Sequence, residues 1–251
     1  NNLIYCVSIE DNMIYAIDPE SGEVETYLTE GPVGCAVLDQ KGMILEAEKS
    51  GIFRIDPRTK EKQLVVKAQV DERIRYNDGK LDPKGRLLVG TMGYDDTYEG
   101  KAALYAIEKD GTVRTVLDGL TLANGMGWSP DGKTLYFIDT PTQKVGSYAY
   151  DPETGEAIFE KYVIEITDGS NPDGMCVDME GMIWVAQYGG EKVCRWDPES
   201  GGKLEEIRMP VKNVTSCCLG GENLEYLYIT TAKDGETQEA LAGGLFRVKL
   251  S

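Results

Sequence analysis

Asp131-Gly132-Lys133-Thr134-Leu135-Tyr136-Phe137-Ile138-Asp139, followed by Ser147-Tyr148-Ala149-Tyr150-Asp151-Pro152, is a turn, an apolar strand and a second strand that closes on Asp-Pro. The same phrase returns in Gly181-Met182-Ile183-Trp184-Val185-Ala186 with Val193-Cys194-Arg195-Trp196-Asp197-Pro198. Weaker copies are Gly42-Met43-Ile44-Leu45 with Phe53-Arg54-Ile55-Asp56-Pro57, and Gly85-Arg86-Leu87-Leu88-Val89 with Leu104-Tyr105-Ala106-Ile107. The terminal copies are Asn2-Leu3-Ile4-Tyr5 with Ile14-Tyr15-Ala16-Ile17-Asp18-Pro19, and Tyr226-Leu227-Tyr228-Ile229 with Leu245-Phe246-Arg247-Val248. The repeat length is about 45 residues, the range of a propeller blade. Almost no stretch carries a 3.6-residue apolar period, so the pattern predicts an all-β, six-bladed β-propeller occupying residues 1–251 as one domain. The stretch from Lys60 to Arg75 fits either a strand and a loop or a short helical turn.

Within each full unit the innermost strand comes first, and the turn after it provides a ruler. Counting back five residues from Asp82, Ser129 and Asp178 gives Asn77, Asn124 and Asp173. The same count from Asp39 gives Gly34, and from Gly220, allowing a longer turn, Thr215. Equivalent positions in a propeller sit around the axis, so Asn77, Asn124 and Asp173 are expected to converge at one mouth of the channel. One carboxylate and two carboxamides offer only oxygen ligands, which suits a hard cation such as Ca²⁺, Mg²⁺ or Mn²⁺. The competing reading of each Asn or Asp before Gly is an ordinary turn residue. The second strand returns to the same mouth, which places Thr91-Met92 with the Gly93-Tyr94-Asp95-Asp96 loop, Asp139-Thr140, Gln187-Tyr188 and Thr230-Thr231 there. Arg75, two residues before Asn77 on an extended strand, shares its side-chain parity. Copy one begins at its second strand and copy six ends at its third, so the repeat predicts a first blade without its inner strand.

The chain has 251 residues with 26 Lys and Arg against 43 Asp and Glu, a formal charge of −17, and no histidine. Ser-His-Asp and Cys-His nucleophile systems and His general bases are therefore excluded, and any catalysis runs on carboxylates, amides, Arg, Lys, Tyr or a bound metal. The negative charge disfavours nucleic acid and anionic membranes as partners. Cys6, Cys35, Cys176, Cys194, Cys217 and Cys218 form no C-x-x-C pair and read as buried reduced thiols. No signal peptide or apolar run of transmembrane length is evident, so the expectation is a soluble, cytoplasmic protein.

Several longer motifs resemble the gluconolactonase, regucalcin (senescence marker protein) and luciferin-regenerating enzyme family across essentially the whole chain. They are Arg75-Tyr76-Asn77-Asp78-Gly79-Lys80 with Asp82-Pro83 and Gly90-Thr91-Met92, Asn124-Gly125 with Trp128-Ser129, and Pro172-Asp173-Gly174-Met175-Cys176-Val177-Asp178 with Gly181 and Trp184-Val185-Ala186. Thr215-Ser216-Cys217-Cys218 and Ala242-Gly243-Gly244-Leu245-Phe246 complete the set. The resemblance implies a six-bladed propeller with a divalent metal at the channel mouth, hydrolysing sugar lactones in many members. Position by position it implies Asn124 and Asp173 as metal ligands, Asp173 also as general base, and Arg75, Asn77 and Asp95 on the substrate side. The family's third protein ligand, a Glu in a Glu-x-Pro-Val-Trp strand, falls by the ruler on the inner-strand position missing from copy one, a gap that roughly twenty residues before Asn1 or some other segment would fill.

The resulting expectation is a divalent-metal-dependent hydrolase of small sugar lactones, with the metal polarising the lactone carbonyl and Asp173 orienting or deprotonating water. Ca²⁺ is the first expectation for the metal, with Zn²⁺, Mn²⁺ and Mg²⁺ as alternatives. The expected partner is a small-molecule lactone; oligomeric state is left open. Two other functions stay open at this point: a phosphotriesterase or aryl esterase on the same fold, and a calcium-binding propeller without turnover.

Overall fold

The computed structural model describes residues 3–67, 71–235 and 239–250. Among them the strands build six meander sheets, each ordered as in the sequence. The first holds β1 (Ile4–Ser8), β2 (Met13–Ile17) and β3 (Val24–Leu28); the second, β4 (Val33–Leu38), β5 (Ile44–Glu48), β6 (Gly51–Ile55) and β7 (Lys62–Lys67). The third holds β8 (Ile74–Leu81), β9 (Leu87–Gly93), β10 (Ala102–Ile107) and β11 (Val113–Leu120). The fourth is β12 (Ala123–Trp128), β13 (Thr134–Asp139), β14 (Lys144–Asp151) and β15 (Glu156–Glu165); the fifth, β16 (Asn171–Val177), β17 (Ile183–Tyr188), β18 (Lys192–Trp196) and β19 (Lys203–Arg208). The sixth contains β20 (Val214–Gly220), β21 (Tyr226–Thr231) and β22 (Leu245–Lys249). This is the six-bladed β-propeller class that the repeat predicts, with three strands in blade one.

The chain forms two compact units, Asn1–Ala123 with Pro152–Gly155, and Asn124–Asp151 with Glu156–Ser251. The first carries blades one to three and the second blades four to six. The open stretch from Lys60 to Arg75 resolves into the strand β7 and a turn at Asp71 that leads into β8; residues 68–70 within it, and Asn2 of the first repeat copy, lie outside the described residues.

The repeating turn has a specific cause. Asp39 Oδ1 accepts from the backbone N–H groups of Lys41 and Met43, Asp82 Oδ1 from those of Lys84 and Arg86, and Asp178 Oδ1 from those of Glu180 and Met182. Ser129 fills the same place in blade four, accepting from Thr134 N through its hydroxyl. The side chain closes the turn between the first and second strands, which is why an Asp or Ser stands there. The residue three further on is glycine because φ is positive there, +78° at Gly85 and +83° at Gly181.

Burial differs between second and outermost strands. Every residue of β5 is buried, whereas β19 presents Lys203, Leu204 and Glu205 to solvent. Apolar side chains fill the wedge between neighbouring blades. Cys35, Ala47, Ile52, Tyr76, Leu87, Val89 and Ile107 form one such cluster in the first unit, and Cys176, Trp184, Ala186, Val193, Val214, Cys217, Leu227 and Ile229 belong to another in the second. Each fully buried Ile, Leu or Val here contributes about 1.5–3 kcal/mol.

Candidate functional site

The ruler positions coincide with defects in the strand ladders. The β4–β5 pairing shifts between Val33 and Cys35, β8–β9 between Tyr76 and Gly79, β16–β17 between Pro172 and Met175, and β20–β21 between Val214 and Ser216. Gly34, Asn77, Asp173 and Thr215 therefore sit at bulges of their innermost strands. A bulge takes a residue out of the ladder and re-aims its side chain, a common device beside binding sites.

In the second unit, Asn124 and Asp173 occupy the inner strands of successive blades. A Cβ on Gly125 would lie 2.5 Å from Asp173 O, so the two backbones are in direct contact beside these residues. Asn124 is buried, and its Nδ2 donates to Thr140 Oγ1 at 3.1 Å. Thr140 in turn donates to Pro172 O at 2.8 Å. Thr140, just past the end of β13, thus bridges the two strands that carry Asn124 and Asp173. Asp173 is half-buried. Burial pushes the Tyr188 phenol above its ordinary value, and the negative charges of Asp234 and Asp173 add to that.

In the first unit, Arg75 and Asn77 share one face of β8. Arg75 Nη1 donates to Asn77 Oδ1 at 3.0 Å and to Tyr76 O at 3.0 Å, while Asn77 Nδ2 donates to Ala123 O at 3.0 Å. The carboxamide is held at both ends. Asp78, on the opposite parity, has its pKa raised by burial, with Lys80 partly opposing. Asp95 lies on the exposed loop after β9, where its carboxylate accepts from the backbone N–H of Thr97 at 2.9 Å and from the Thr97 hydroxyl. These bonds hold its pKa below the usual carboxylate range.

The structure thus bonds Arg75 to Asn77, links the strands of Asn124 and Asp173 through Thr140, and places Asp95 in a turn of its own. Among the described residues no group of three or more Asp, Glu, Cys or His side chains gathers at one point. Of the residues the ruler selects in the second unit, the carboxamide oxygen of Asn124 and the carboxylate of Asp173 are the ones that could hold a metal. This all-oxygen pair suits a hard cation, and Thr140 occupies the N–H end of Asn124 so that the oxygen end is the one left for coordination. Of the other strand-two ends, Thr230 bonds Thr215 through their hydroxyls at 2.8 Å, and fully buried Gln187 donates to Ser170 Oγ at 2.9 Å. Four cysteines are buried free thiols, as expected, Cys6 is half-buried, and Cys218 differs in being exposed on the other face of β20. No helix among the described residues is long and apolar enough to cross a membrane.

The fold is a six-bladed β-propeller whose inner strands carry Asn77, Asn124 and Asp173. Comparison with known proteins specifies the family. The SMP-30/gluconolactonase/LRE-like region profile matches residues 1–233, and the chain belongs to that family. It is 35% identical over 263 residues to human regucalcin, covering 99% of this chain and 86% of that protein. Regucalcin of Gallus gallus is 34% identical over 260 residues, covering 98% and 86% of the respective chains. Among solved structures, the calcium-binding protein regucalcin from Agrobacterium tumefaciens superposes with a TM-score of 0.91 at 25% identity, covering 99% of this chain and 86% of that one. Luciferin-regenerating enzyme superposes at 0.90, also at 25% identity, covering 99% and 87%.

Proposed function

We propose that the chain is a divalent-metal-dependent lactonase acting on small, hydroxylated sugar lactones. The observation that carries this reading is the Asn124–Thr140–Pro172 chain of hydrogen bonds, which brings an oriented carboxamide oxygen beside the strand of Asp173. Membership of a family that includes gluconolactonases supports the reaction class.

Asn124 and Asp173 would hold the metal. When bound, a hard cation such as Ca²⁺ supplies Lewis-acid polarisation of an ester carbonyl; Zn²⁺, Mn²⁺ and Mg²⁺ offer the same chemistry. Asp173 orients the attacking water and accepts its proton as the new C–O bond forms. The ring C–O bond then breaks, and the ring oxygen takes the proton that Asp173 had accepted, which leaves an open hydroxy acid and restores the carboxylate. Arg75 and Asn77 hold substrate hydroxyls, with Arg75 fixing the Asn77 carboxamide by its 3.0 Å bond, and Asp95 contributes a further polar contact on the substrate side. The charge of −17 suits a soluble metabolic enzyme with no nucleic-acid or membrane partner, and the free thiols suit the cytoplasm.

The test is a panel of sugar lactones, aryl esters and phosphotriesters assayed with Ca²⁺, Mn²⁺, Mg²⁺ or Zn²⁺. Lactone turnover that is lost on exhaustive chelation and in Asp173→Asn is expected. Turnover of aryl esters or phosphotriesters alone, or metal binding with no turnover, would overturn the lactonase assignment.

A further inference from the structure

Thr140 is buried just past the end of β13, as the first residue of a short 3-10 turn, and is not one of the proposed metal or substrate groups. Its hydroxyl has one proton and two acceptor lone pairs. The nearest carbonyl, Pro172 O at 2.8 Å, can only accept, so the hydroxyl proton is committed to it. Toward Asn124, 3.1 Å away, Thr140 can then only accept. That fixes which end of the Asn124 carboxamide faces Thr140. The N–H₂ group points at Thr140, and Oδ1, the atom a hard cation requires, points away from it. In the reversed orientation two oxygen lone pairs would oppose each other in a buried position, at the cost of an unmade hydrogen bond.

The same hydroxyl acts on the second ligand. Pro172 immediately precedes Asp173, at the bulge between Pro172 and Met175 where β16 leaves its ladder with β17. Anchoring Pro172 O limits the swing of that bulge and so the direction of the Asp173 side chain. We infer that Thr140 is a positioning residue that sets the orientation of both metal donors, Asn124 through its carboxamide flip and Asp173 through the backbone of Pro172. The inference rests on the metal-site reading above. It also explains why a hydroxyl, and not an isosteric apolar group, stands at this buried position.

The experiment measures metal affinity directly, by calorimetric titration of Ca²⁺ and of Mn²⁺ into the apo forms of the full chain, its Thr140→Val and Thr140→Ser variants, and Thr140→Ala. Thr140→Ser keeps the hydroxyl and is expected to bind within about threefold of wild type. Thr140→Val, folded by circular dichroism, is expected to bind about 10–100-fold more weakly, the usual cost of losing an outer-sphere partner. If Thr140→Val does not fold, Thr140→Ala, which removes the hydroxyl without a second methyl, takes its place with the same expectation. Wild-type affinity in a folded variant without the hydroxyl would overturn the inference while leaving the metal site standing. A wild-type chain that binds neither cation would overturn the metal-site reading itself, and the inference with it. A purely structural Thr140 would lower the melting temperature of the Val variant and leave the affinity of its folded state unchanged, which also overturns the inference.

Discussion

Gly125 faces the carbonyl of Asp173 so closely that a methyl group on it would stand 2.5 Å from that oxygen. The other near atoms are Met175 N at 2.8 Å and Met175 Cγ at 2.9 Å. Two of these three are backbone and cannot turn aside. Gly125→Ala is therefore expected to cost about 3 kcal/mol, the upper end of core overpacking, and to lower the melting temperature by about 6–12 °C. Gly22→Ala is the control: φ is +75° there but nothing lies within 4 Å, so only about 1 kcal/mol of backbone strain is expected. Urea unfolding of both variants checks the contrast; equal losses would show that backbone conformation, not the approach to Asp173, sets the cost.

Blade two holds an ionic group of the opposite kind, buried within a single sheet. Glu46 and Glu48 are both wholly buried on β5, and Lys62 Nζ lies 2.6 Å from one and 2.9 Å from the other. Ser50 Oγ and the backbone N–H of Glu30 add bonds to Glu48. Two carboxylates share one ammonium, and Glu46 carries the excess: burial raises its pKa, Lys62 partly offsets this, and Glu48 and Glu30 add to the rise. An acid whose folded pKa is raised binds more protons folded than unfolded. Its contribution is full below the unfolded value of about 4.5 and is lost as pH rises through the folded value. Glu46→Gln should remove that loss, so the stability difference between wild type and variant narrows toward acid and widens above about pH 5 in favour of the variant. A difference independent of pH, by urea unfolding across the range, rules this out. Lys62→Met strands both carboxylates and should cost about 3–5 kcal/mol.

Asp168 carries the reverse sign. Burial works to raise its pKa, but Lys192, 2.5 Å from Oδ2, and the hydroxyl and N–H of Ser170 outweigh it and hold the carboxyl well below the usual range. A depressed folded pKa gives stability that is present above the unfolded value, about 3.8, and lost as pH falls through the folded one. With the carboxylate partly exposed, Asp168→Asn is expected to cost roughly 1 kcal/mol at neutral pH, and less as the pH drops below about 3.8. A penalty that persists undiminished at pH 2 would assign the loss to packing around Ser170 instead.

These groups mark the boundary of what the sequence displays. The Asp-x-x-Gly turns are local, each made by one side chain and its own next four residues, so their spacing exposes the blades and the ruler that finds Asn77, Asn124 and Asp173. In blades two, three, five and six the ruler lands on bulges, because the innermost strand departs from its ladder at that depth. Gly42-Met43-Ile44-Leu45 marks the strand, but nothing local shows that Glu46 and Glu48, which follow, are buried. The fold buries both faces, since a second strand is packed by blades on either side, and the distant Lys62 supplies the one cation that both carboxylates share. Thr140 is visible as a strand-end residue, but its two bonds reach residues sixteen and thirty-two positions away, and no local pattern encodes them.

The last expectation concerns the substrate side. Asn77 gives its carboxamide N–H to Ala123 O and receives Arg75 Nη1 on its oxygen, so Arg75 both orients Asn77 and presents a planar fork of donors. Lysine keeps the charge but is a point donor on a flexible stem, and cannot hold Asn77 and a substrate hydroxyl together. Arg75→Lys is therefore expected to raise KM for a sugar lactone about tenfold, near 1.4 kcal/mol, with kcat within about threefold. Metal affinity should be unchanged if, as proposed, Asn124 and Asp173 are the metal donors. Steady-state kinetics and a Ca²⁺ titration on the same preparation separate the possibilities. A fall in kcat at constant KM would place Arg75 in transition-state stabilisation, and a parallel loss of Ca²⁺ affinity would move it from the substrate to the metal.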